Sequence, residues 1–101
     1  MHELLTVYLC DDSRETIEKY SDLITRTAQK NQIDIALSVF ENGESLIFHL
    51  SDTPDLPDII YLDILMGKLN GIDTAKRLRE FGCKAEIIFL TTSEDYVFDS
   101  F

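Results

Sequence analysis

The feature that most narrows the possible folds is a regular alternation of two hydrophobic periods along the chain. Apolar runs of strand length are separated by stretches in which apolar residues recur every three to four positions. The first run, residues 4–10, stops abruptly at Asp11 and Asp12. After Ser13, a residue type suited to capping a helix, Ile17, Tyr20, Ile24 and Thr27 or Ala28 share one helical face as far as about Asn31. Residues 34–40 then alternate, with Ile35, Leu37 and Val39 on one side, which suits a strand at a sheet edge. Asn42-Gly43 opens a short helix running to about Leu50, and Pro54 and Pro57 mark a surface loop. Residues 58–63 form an apolar strand closed by Asp63. A loop containing Gly67 leads to a helix in which Ile72, Ala75, Leu78 and Phe81 share a face while Lys76, Arg77 and Arg79 point to solvent, with Gly82 as the stop signal. The strand 86–91 follows, and Ser93 suits the cap of a further helix that the end at Phe101 cuts short.

Strands and helices in strict alternation, joined by short connections, imply right-handed crossovers and a parallel sheet covered on both faces. The expected class is therefore α/β, a flavodoxin-like doubly wound sheet of order 2-1-3-4, which puts the alternating second strand at an edge and the apolar third strand inside. A chain of 101 residues with 45% hydrophobic content suffices for one domain, residues 1–101. It is expected to be shortened at the C-terminus, before a fifth strand and last helix, with no output domain attached. An uncovered edge on the fourth strand would then invite self-association.

The formal net charge of −10 argues against direct binding of nucleic acid, whose phosphates would repel the chain. No apolar run has the ~20 residues of a membrane span, and the N-terminus lacks the order of a secretion signal, so a cytoplasmic location is expected. Cys10 and Cys83 have neither metal-type nor disulfide-type spacing. The topology sets them toward opposite ends of parallel strands, so two free thiols are expected.

In doubly wound sheets ligands bind beyond the carboxyl ends of the strands where the strand order reverses, here between the first and third strands. Asp11, Asp12 and Asp63 converge there. Strands ~4.8 Å apart crowd these carboxylates until a cation or protons neutralise them. An all-oxygen donor set without histidine or a thiol pair favours Mg²⁺, whose remaining waters a phosphoryl group can replace. Thr91, at the end of the neighbouring strand, offers a hydroxyl to such a group, and Thr92 fits the register less well. Any one of these residues alone would read as a cap or loop residue; it is the convergence of three acids that carries the inference.

The acidic pair in Leu9-Cys10-Asp11-Asp12, the strand Ile60-Tyr61-Leu62-Asp63-Ile64, the stretch Leu69-Asn70-Gly71-Ile72-Asp73 and the strand Ile87-Ile88-Phe89-Leu90-Thr91 resemble, in order and spacing, the response-regulator receiver domains of two-component systems. The stretch from Thr91 to Tyr96, with Phe101 following, is most similar to receivers that precede a LytTR-type DNA-binding domain. The resemblance implies that Asp63 takes phosphate from a sensor histidine kinase. It implies that Asp12 binds Mg²⁺ directly, Asp11 mainly through metal-bound water, and that the main-chain carbonyl of Leu65 completes the protein's share. Thr91 would be the switch hydroxyl, and an output DNA-binding domain in the parent chain the partner. Two departures stand out: Gly67 occupies the usual proline position, which implies a more mobile loop, and no residue here matches the lysine of the fifth strand.

The expected function is thus a phosphorylation-controlled signalling module rather than an enzyme. An alternative is a pseudo-receiver that acts without phosphate. A Mg²⁺-dependent phosphatase of the haloacid-dehalogenase type would need an acid at Leu65. His49 and Met66 read as structural, as does the Leu65 side chain, and His2 carries no signal. Tyr96, Val97, Phe98 and Phe101 read as packing or switch-surface residues.

Overall fold

The computed structural model describes residues 4–66 and 69–90. The elements follow in the order β1 (Leu4–Cys10), α1 (Arg14–Lys30), β2 (Asp34–Phe40), α2 (Gly43–Leu50), β3 (Ile59–Asp63), α3 (Gly71–Glu80) and β4 (Glu86–Leu90). All strand pairs are parallel and the sheet order is β2-β1-β3-β4, as the alternation required. The expected helix after Ser93, with Tyr96, Val97, Phe98 and Phe101, lies outside the described residues. So do Thr91, Thr92, Gly67 and His2.

Each helix starts where a side chain satisfies an otherwise orphaned backbone N–H. The Ser13 hydroxyl accepts from Thr16 N at 3.3 Å, Asn42 Oδ1 from Ser45 N at 2.7 Å, and Asn70 Oδ1 from Asp73 N at 2.8 Å. Two of the helices stop in the same way. Beyond α1, Gln32 N donates to Gln29 O and Ile33 N to Ala28 O; beyond α3, Gly82 N donates to Arg79 O and Cys83 N to Leu78 O. The residue in the left-handed region is Gln32 (φ 57°) in the first case and Gly82 (φ 89°) in the second.

The two faces of the sheet are covered differently. On one, Tyr8, Cys10, Ile60 and Leu62 pack with Leu46 and Leu50 of α2 and Leu78 of α3. On the other, α1 lies over β1 and β2, where Val7 and Leu9 are buried and Tyr20, Ile24 and Ala28 face the sheet. Burial of this apolar surface, at about 25 cal/mol per Å², drives assembly of the sheet with its helices.

The inward line of α3 is Gly71, Thr74 and Leu78, and Phe81, read as sharing a face with Leu78, is 41% exposed. The helix ends at Phe81, and the turn at Gly82 brings Cys83 inward to close its foot, so the aromatic ring is left outside. Thr74 is wholly buried although polar, because its hydroxyl donates to Asn70 O at 2.8 Å. Leu65, expected to pack in its loop, is instead half exposed, while its neighbour Met66 fills the interior and accepts from Cys10 Sγ at 3.6 Å. Cys10 and Cys83 are both free and buried. His49 has the structural part expected of it: Nε2 lies 3.2 Å from Tyr8 Oη, and its ring packs against Tyr8 and Phe40.

Candidate functional site

Strand register brings the acids together. Cys10 pairs with Leu62 across β1 and β3, so the next residue on each strand sets Asp11 beside Asp63 at the carboxyl edge. The backbone of Asp11 continues the ladder by donating from its N–H to Phe40 O at 3.0 Å, and its Oδ1 accepts from Ser13 N at 2.8 Å. That second bond turns the chain into α1 and leaves Asp12 exposed at the rim. Asp63 ends β3, and its Oδ1 accepts from Leu65 N at 3.3 Å. Ligand atoms of Asp11, Asp12 and Asp63 all lie within 4.8 Å of one another.

Three carboxylates this close carry an electrostatic cost. Burial raises the Asp63 carboxyl to about 6, the neighbouring charge on Asp11 adds to the shift, and bonds from the Leu65 and Ile64 amides partly offset it. Asp11 is also raised, chiefly by burial, with the Ser13 amide opposing. Cys10, beneath the cluster, is pushed up to about 12 by burial and then by the surrounding acids, so it stays a neutral thiol. An all-oxygen donor set of three close carboxylates is chemically suited to a hard divalent cation, and Mg²⁺ fits it.

The cavity above the acids measures about 270 Å³. Besides the three aspartates its wall includes Thr16 and Tyr20, one turn apart on α1, with Leu65 and Leu90 opposite. Tyr20 reads from sequence only as a packing residue. The i, i+4 spacing from Thr16 is the signal that joins the two, and it acquires meaning once Ser13 has fixed where α1 begins. Asp11, Asp12 and Asp63 come together and Leu65 lines the same cavity, while Thr91 lies beyond the described residues.

The sequence model of the family described as "Response regulator receiver domain" matches residues 7–99. The chain belongs to this family. Among curated proteins this receiver domain is 31% identical over 97% of its length to the sensory transduction protein LytT of Bacillus subtilis (strain 168), of which it spans 38%. It is 40% identical over 57% of its length to the transcriptional regulatory protein DcuR of Escherichia coli (strain K12), spanning 23% of that protein. Among solved structures it is similar to the signal receiver domain of a modulated diguanylate cyclase from Desulfovibrio desulfuricans G20. There the TM-score is 0.63 and the identity 34%, covering 90% of this chain and 67% of the other. Receiver domains are in general signalling modules of two-component systems. Among the described residues no helix is long and apolar enough to cross a membrane.

Proposed function

We propose that this receiver domain accepts a phosphoryl group on Asp63 from a sensor histidine kinase and passes the resulting change to an output domain. The observation that carries this reading is the meeting of Asp11, Asp12 and Asp63 within 4.8 Å at the sheet's carboxyl edge. An Asp63 carboxylate oxygen attacks the phosphorus of a phosphohistidine. The P–N bond breaks with its electron pair leaving to the imidazole nitrogen, and an acyl phosphate forms that water can later hydrolyse. Asp12 would hold Mg²⁺ directly together with an oxygen of Asp63, Asp11 mainly through a metal-bound water, and the Leu65 carbonyl would complete the protein's share. When bound, Mg²⁺ spreads the charge of the phosphoryl oxygens. The hydrogen bond that the Leu65 backbone N–H donates to Asp63 Oδ1 orients the carboxylate, leaving the other oxygen to react. The Thr91 hydroxyl would take a phosphoryl oxygen in the switched state. The similarity to LytT and DcuR, named as sensory transduction and transcriptional regulatory proteins, supports transcription as the output.

The test is incubation with Mg²⁺ and acetyl phosphate followed by intact-mass measurement. A phosphoryl mass gain that disappears in Asp63→Asn and on adding EDTA is expected. Absence of any gain would overturn the phosphoacceptor reading in favour of a phosphate-independent interaction module. A gain that survives Asp63→Asn would remove Asp63 from the role.

A further inference from the structure

The geometry points to Gly71, the first residue of α3, as a positioning residue for the Asp63 carboxylate, acting through direct backbone contact. This inference rests on the proposed role of Asp63 as acceptor.

Its basis is the closeness of the two backbones. A Cβ added at Gly71 would collide with the carbonyl oxygen of Asp63 and would lie 2.9 Å from both the Asp63 carbonyl carbon and Ile64 Cα. All three are main-chain atoms at or just beyond the end of β3, so no side-chain rotation relieves the conflict. The contact is also bonded, since Gly71 N donates to Ile64 O at 2.9 Å. From the other side Ile64 N donates to Leu90 O of β4 at 3.2 Å. The peptides that carry the acceptor carboxylate and lead to the Leu65 carbonyl are therefore gripped between β4 and the start of α3.

What fixes Gly71 is the cap before it. Asn70 Oδ1 accepts from Asp73 N and Asn70 O accepts from the Thr74 hydroxyl, both at 2.8 Å, so the first turn of α3 is tied at two points. A side chain at position 71 forces either α3 away from the sheet or the end of β3 away from Asp11. Either movement changes where the Asp63 oxygens lie relative to Asp11 and Asp12. Displacements near 1 Å at a reacting group can cost up to about a hundredfold in rate.

The experiment compares Gly71→Ala with Leu50→Ala in the phosphorylation assay with acetyl phosphate, both held well below their own unfolding temperatures. Leu50 is wholly buried at the far end of α2, which starts at the carboxyl edge and runs away from it, so its truncation lowers stability without touching the acids. Gly71→Ala is expected to lower the maximal phosphorylation rate by about tenfold or more and to raise the Mg²⁺ concentration at half-maximal rate, while Leu50→Ala stays within about twofold of the parent on both. A Gly71→Ala rate within twofold of Leu50→Ala would overturn the inference. If Gly71→Ala does not fold, Asn70→Ala and Asn70→Ser decide: slowing by Asn70→Ala that the capping serine restores supports it, and two unchanged rates overturn it. The parent protein separates the two levels of argument. Failure of the parent to gain phosphate counts against Asp63 as acceptor, whereas normal phosphorylation of both parent and Gly71→Ala counts against Gly71 alone.

Discussion

At the scale of single residues, Asp63 shows how a site can be organised at the expense of stability. Its folded-state carboxyl lies at about 6, above the ordinary 3.8, so the folded protein binds that proton more tightly than the unfolded chain. The stabilisation this provides is complete below pH 3.8 and is lost as pH rises through about 6. Without divalent ions, Asp63→Asn is therefore expected to melt above the parent at pH 7–8, the gap closing as pH falls toward 4. Melting curves followed by circular dichroism across that range check it, and a gap that widens on acidification would contradict the assignment. Leu78 behaves as a plain core residue. It is wholly buried between α3 and the sheet, so Leu78→Ala should cost about 2–5 kcal/mol in urea unfolding, with phosphorylation retained in the molecules that remain folded. The acids, including the pairing of Asp11 with Asp63, could be read from the sequence because strand ends and spacing place them. The exposure of Phe81 and Leu65 could not, since it depends on how a helix end and a loop turn over the sheet.

Among the elements, α1 and α3 end in the same six-to-one and five-to-two hydrogen bonds, and they differ in who occupies the left-handed position. Gln32 holds it with a side chain at φ 57°, whereas Gly82 does so without steric cost, and nothing crowds a Cβ there. Gln32→Gly is expected to be neutral or to stabilise by up to about 1 kcal/mol, and Gly82→Ala to destabilise by about 1 kcal/mol. Denaturant midpoints at unchanged slope measure both. Clear destabilisation by Gln32→Gly, or no loss of stability in Gly82→Ala, would contradict a left-handed terminating residue at that site. The boundaries read from the sequence were legible because Ser13, Asn42 and Gly82 are punctuation with a local mechanism. The inward line Gly71, Thr74, Leu78 was not, because a buried threonine and a glycine carry no hydrophobic signal. Their burial is permitted by a bond back to Asn70 and by the closeness of the sheet.

For the whole molecule the dominant quantity is the formal net charge of −10, part of it concentrated at the sheet's carboxyl edge. General screening by NaCl should raise the melting temperature modestly, through reduced self-repulsion. Mg²⁺ at equal ionic strength should raise it further, by about 2.7 kcal/mol of stability when present at a hundred times its dissociation constant. Differential scanning calorimetry of the parent and Asp12→Asn separates the two contributions. The extra stabilisation should shrink in the variant, and an identical response to both salts would argue against a specific cation site.

The sequence by itself determined the class of fold, the strand order and the three acids at the switch point. These follow from periodicity and from chain connectivity, which act over a few residues or through the handedness of crossovers. Only the tertiary structure decided that α3 rests its first residue on the backbone of Asp63, that Thr16 and Tyr20 wall the cavity, and that Cys83 rather than Phe81 closes the foot of α3. Each of these depends on the distance between elements remote in sequence, and packing sets that distance.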